Sequence, residues 1–220
     1  MKKSIVLLIS LLFISALSIL ILKNLEDTNS YIKEQSSRLN KTQMITLTSN
    51  AQVEVSKVIK DNKESIDELL LENDNLSIPT KVGNSELLFT LVKYDKVDVN
   101  SLSSKDSKEN SIEKLFNEYN ISSFYSFKDI YRVQENQYKE KDNRFIKNSK
   151  QLDFIIDKFI KDTYSDEILD IKNKIGFINK SANSDLYELF IKINHLNELF
   201  KAYYILDKEG KVAYFESSFK

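Results

Sequence analysis

Cysteine is absent from the 220 residues, and glycine occurs three times, proline once and histidine once. Without cysteine there are no disulfides, no thiol chemistry and no thiolate zinc sites; an oxidising compartment is permitted but not required. A single histidine, His195, excludes a histidine metal cluster. It lies in a helix-like pattern with no serine or cysteine arrangement beside it to suggest a nucleophile, so it reads as a structural residue. Scarce glycine and proline favour long helices over a turn-rich sandwich. The three isolated glycines form no phosphate loop. Charge of one sign is also lacking: 32 basic residues face 33 acidic ones. No net positive field invites nucleic acid. Lys139, Lys141, Arg144, Lys147 and Lys150 make a basic region, but Glu140 and Asp142 interrupt it, and it reads as a solvated face.

What the chain has is concentrated at its start. Lys2 and Lys3 precede an uncharged apolar run from Ile5 to Leu22, which as a helix rises roughly 27 Å, near the short end of a bilayer span. Residues 22–26 offer no small-x-small cleavage site, so the run reads as an uncleaved anchor rather than a removed signal. The two lysines then place the N-terminus in the cytoplasm and the bulk of the chain outside. The expectation is a single-pass inner-membrane protein with a periplasmic or extracytoplasmic body. Ser15, Ala16 and Ser18 are candidates for close packing against another membrane helix.

No glycine or proline occurs from Met1 to Ile78. A loosely spaced, partly polar stripe through Leu25, Thr28, Ile32, Leu39, Gln43 and Thr46, with Met44, Ile45 and Leu47 adding apolar character and Val53, Val55, Val58 and Ile59 continuing it, predicts a helical stalk over 23–72, with a polar interval at 61–64. A linker with Pro79 and Gly83 follows, then a strand, a turn at residues 94–96 and a short strand, so that 73–110 reads as linker and strand pair. Residues 111–200 read as helical, with stripes through Ile112, Leu115 and Phe116, through Leu152, Ile155 and Phe159, and through Leu186, Leu189, Phe190 and Ile193. Residues 201–220 read as a hairpin turning near Glu209-Gly210, with Tyr203, Tyr204, Tyr214 and Phe215 packed across its strands. The fold class expected is α+β: a long N-terminal helix, its first half transmembrane, followed by a small antiparallel sheet with a helical insertion.

No catalytic or cofactor site is expected. Asp95 and Asp98 flank the turn at 94–96 and could offer oxygens to a calcium ion, but calcium takes several more and the segment is no EF-hand loop.

The N-terminus resembles the type IV pilin and type II secretion pseudopilin superfamily, whose members have a short basic leader and an apolar helix running into a head domain. Residues 1–4 match the leader. Ser4 stands where the family has glycine before the processing point, and Ile5 would begin the mature chain. The family's acidic fifth mature position is Ile9 here, and in lacking that acid the chain is similar to the minor pseudopilin K type. The segment 88–100, ending YDKVDVN, and the end ILDKEGKVAYFE look like strand segments of that type. The resemblance implies a non-enzymatic minor pseudopilin at the pseudopilus tip or in its initiation. Its partners would be other minor pseudopilins or pilins, an inner-membrane assembly platform and a prepilin peptidase. The rival expectation is a membrane-anchored extracytoplasmic ligand-binding or signalling module.

Overall fold

The computed structural model describes residues 2–103, 111–137, 145–179, 185–196 and 198–220, without the side chains of 2–17 and 63. A single helix, α1 (Lys2–Asp61), runs without a break to Asn62, and α2 (Lys63–Glu72) follows. Five strands form one antiparallel sheet: β1 (Leu76–Val82), β2 (Ser85–Lys93), β5 (Leu186–His195), β6 (Glu198–Asp207) and β7 (Val212–Phe219), in spatial order β1-β2-β5-β6-β7. Everything between β2 and β5 is an insertion. It holds a two-residue parallel pair, β3 (Val97–Asp98) with β4 (Ile175–Gly176), and the helices α3 (Ser111–Glu118), α4 (Phe124–Gln137) and α5 (Ser149–Thr163).

The expectation of a membrane anchor over 5–22 is overturned, and with it the signal-anchor, the single-pass topology and the inner-membrane location. Among the described residues no helix is long and apolar enough to cross a membrane. In the part of α1 whose side chains are described, only Ser18 to Leu22 are uncharged in succession, too few to cross a membrane, and Lys23, Glu26, Asp27, Lys33 and Glu34 follow within the next turns.

Only part of the stripe expected along α1 seats it on the head. Met44, Thr48 and Ile59 are fully buried, with Leu47, Ala51 and Val55 partly so, whereas Leu39, Ile45, Val53 and Val58 face solvent. Both sets have helical spacing. The stripe through Leu39, Thr46 and Val53 is interrupted at its intervening positions by Gln43, Asn50 and Lys57. The stripe from Met44 to Ile59 carries no charge, so it is the one that can be desolvated. Thr48 satisfies its buried hydroxyl by donating to the Met44 carbonyl oxygen at 2.8 Å.

The stripe lies on one face of the sheet. Alternate residues of β5, Tyr187, Leu189, Ile191 and Ile193, point to it and are almost fully buried. This corrects the helix expected over 186–200. Leu186, Leu189, Phe190 and Ile193 do fit a helical stripe, but the same segment also alternates with period two, and β2 and β6 pair with β5 along its length. The expected linker contains β1. Its Pro79 is tolerated because β1 is an edge strand, and Gly83, at φ 57°, supplies the first central residue of the tight turn into β2.

The insertion has its own core, in which Phe116, Phe127 and Phe159 meet with centroids 5.3, 5.7 and 6.2 Å apart. Asn148 caps α5 by accepting the Gln151 N–H at 2.9 Å. One buried side chain ties four segments together. Asn100 Nδ2 donates to the carbonyls of Ile146 and Phe177 at 3.0 and 3.1 Å, and its Oδ1 accepts from the Ile146 N–H and the Tyr131 hydroxyl at 2.9 and 3.2 Å. Every hydrogen-bonding site of the amide is used.

The turn from β6 to β7 touches the helix directly. Gly210 has φ 74°, and a Cβ there would lie 2.5 Å from the Ser56 carbonyl oxygen of α1. Gly83, by contrast, has open space around it. Gly210→Ala should therefore cost about 2–3 kcal/mol by adding backbone strain to a clash, and Gly83→Ala only about 1 kcal/mol from the strain alone. Chemical denaturation of the two variants checks this: equal losses would show that the turn does not bear on α1.

Candidate functional site

Three features of the molecule offer chemistry: the free part of α1, a polar row at one end of the sheet, and a cleft on the sheet's other face. Of the residues singled out from the sequence, Ser4, Ile5, Ile9, Ser15 and Ala16 have side chains outside the described residues, and Ser18 is exposed on α1. Between Ser18 and Ser36 every α1 side chain is exposed, including Ile19 at 67 %, Leu22 at 65 % and Leu25 at 55 %. The first tie to the head is Ser37, whose hydroxyl donates to Glu198 Oε1 at 2.7 Å. Residues 18–36 thus project on the order of 30 Å beyond it.

The polar row crosses three neighbouring strands. Ser85 pairs with His195 across β2 and β5, and His195 pairs with Glu198 across β5 and β6. The Ser85 hydroxyl and His195 Nδ1 are 2.7 Å apart, and both residues are buried. The sequence pattern gives no hint of this contact, because the two lie far apart in the chain and were assigned to different kinds of element. A nucleophilic triad needs a third group orienting the imidazole. Glu198 does not do so: one of its oxygens accepts from Ser37, and the other is buried without a hydrogen-bond partner. The row ties β2, β5, β6 and α1 together at the point where the helix leaves the head.

The cleft lies between the outer face of the sheet and the insertion, with a volume of about 910 Å³. Lys96 and Tyr203 line it, and both donate to the buried carboxylate of Glu188 behind them, Lys96 Nζ at 2.8 Å and the Tyr203 hydroxyl at 2.9 Å. The same ammonium lies 5.9 and 5.7 Å from the ring centroids of Tyr94 and Tyr203. Burial, then the Glu188 charge, pushes the Tyr203 hydroxyl far above the ordinary tyrosine range, so it stays a donor to that carboxylate. Burial likewise pushes Tyr94 up to about 12. Its hydroxyl bridges the backbone N–H and carbonyl of Ile178, both at 3.3 Å. Gly176 makes room for that hydroxyl, which any Cβ at this position would strike. Further out the floor is aromatic: Phe190 stacks on Tyr203 with centroids 4.9 Å apart.

The two carboxylates considered for calcium are not set up as a pair. Asp95 is exposed, and Asp98 accepts the Asn100 N–H at 2.9 Å. Among the described residues no group of three or more His, Asp or Glu side chains could hold a metal ion.

The Lys96–Glu188 pair should behave as a desolvated unit. Lys96→Met leaves the Glu188 carboxylate buried with one donor fewer and should cost about 3 kcal/mol. The double variant Lys96→Met/Glu188→Leu should recover most of that loss. Denaturation of the single and double variants decides it: additive losses would mean that the two charges do not interact.

Comparison of the chain with family models, with curated proteins and with solved structures finds no match.

Proposed function

We propose that this chain is a non-enzymatic assembly subunit of the pilin type, a minor pseudopilin-like component of a type II secretion or type IV pilus-like machine. In this reading it sits at the pseudopilus tip or acts in its initiation, and its partners are other minor pseudopilins or pilins. One observation carries the reading: the head covers α1 only from Ser37 onward, and the exposed part ahead of it includes a full turn, Ile19 to Leu22, that is apolar on all sides. Ile19, Leu20, Ile21 and Leu22 are consecutive and each more than half exposed. At about 100° per residue they point in four directions round the helix axis. A helix apolar all round is one that is surrounded, and a single partner helix would cover only a stripe. A bundle of like helices covers every side. The arrangement of the head adds support, since a long helix seated on an antiparallel sheet with a helical insertion is what the pilin resemblance implies.

The chain has no cysteine, so each introduced thiol is unique. Ser18→Cys, Ile19→Cys, Leu20→Cys and Ile21→Cys cover one turn of the exposed helix. A maleimide-linked benzophenone attached to each thiol and irradiated in extracts of the producing cells should cross-link all four to other long-helix subunits, with mass spectrometry naming the adducts. Cross-linking at only one of the four would reduce the assembly to a two-helix contact. A chain that stays monomeric at all four positions would rule the assembly role out.

A further inference from the structure

We propose that the cleft between the sheet and the insertion binds a small amphiphilic anion, a carboxylate on an apolar body. This goes beyond the assembly role and does not depend on it. The volume, about 910 Å³, is in the range of small-molecule sites, which are mostly apolar with a few placed polar groups. Here Phe190 on the floor is 41 % exposed, Leu88 beside it 39 %, and Leu169 on the opposite wall 50 %. Large apolar side chains on both sides of the concavity are left wet.

The polar groups carry the second half of the argument. Lys192 and Lys201 face each other directly across β5 and β6, in a row that runs Leu88, Lys192, Lys201, Ser218 from β2 to β7. Like charges placed opposite in a sheet repel, and such pairs are destabilising on their own. Both line the cleft, and neither side chain makes an ion pair or hydrogen bond with a described residue. The other cationic groups of the cleft are satisfied, Lys96 by Glu188 and Lys172 by Asp153 at 2.6 Å. Of the remaining carboxylates, Glu216 accepts from the Tyr214 hydroxyl at 2.8 Å, and Asp170 on the far wall is exposed to solvent. An anion seated between the two ammonium groups removes their repulsion and gains charge-assisted hydrogen bonds, while its apolar body covers Phe190 and Leu88.

Calorimetric titration of the full chain with octanoate, octanol and octyltrimethylammonium tests this, because the three share a chain and differ in charge. Octanoate should bind at least about tenfold more tightly than the alcohol, the equivalent of one charge-assisted hydrogen bond, and the cation should bind weakest. Lys192→Met/Lys201→Met should lower octanoate affinity about tenfold or more and leave octanol unchanged. The double variant should also melt no lower than the parent, since it removes a like-charge pair. Phe190→Ser should weaken octanoate and octanol alike. Equal binding of octanoate and octanol, octanoate binding that survives the double lysine variant, or no binding of octanoate at all would each overturn the proposal.

Discussion

Only part of α1 has a surface to lie on. From Ser37 to Ile59 its uncharged stripe rests on one face of the sheet, and the contact is pinned at both ends, by Ser37 on Glu198 and by the Gly210 turn against Ser56. An isolated helix gains little stability from propensity alone. The seated segment therefore holds the rest of α1 in line, and the free segment inherits its direction from the head. Helix and sheet also solve each other's problem. The sheet has an apolar inner face to cover, and α2 adds Ile66 and Leu70 to the same core.

The sheet's second face is treated differently along its length. Where Tyr94, Leu186 and Ile205 cluster, the insertion closes over it, and Tyr214 of the last strand stacks edge-on to Phe177 of the insertion at 4.8 Å. Beyond Glu188 the face opens into the cleft. Because the insertion leaves the sheet after β2 and returns into β5, two adjacent strands, its position is fixed at both stems. Asn100, four-fold hydrogen-bonded, locks those stems to α4 and to the start of α5. One buried amide thus ties together the segments that stand over the cleft.

Much of this plan was legible in the sequence. Scarce glycine and proline announced the long helix, and Asp207 to Lys211 announced the last hairpin, with Tyr204 and Phe215 stacked 4.6 Å apart across it. The α+β class follows from those two signals. The misreadings have physical causes. Residues 186–200 satisfy two periodicities at once, and only the pairing of β2 and β6 decides between them. The buried stripe of α1 could not be chosen over its neighbour without knowing that Gln43, Asn50 and Lys57 would have to be desolvated. Length and hydropathy at 5–22 suggested a membrane span that the described helix does not support. Of the candidate leader-processing and membrane-packing residues, only Ser18 has a described side chain. The Ser85–His195 contact and the Lys192–Lys201 pair are products of strand register, which no local pattern encodes.

α1 has two regimes divided near Ser37, one held by the head and one exposed all round. Amide hydrogen exchange along α1 in the isolated chain tests it directly. The account predicts slow exchange from Met44 to Ile59, close to the global stability, and a steep rise in rate on passing Ser37 towards Ser18. Uniform slow exchange through Ser18 in a dilute monomer, or fast exchange all the way to Asp61, would contradict it.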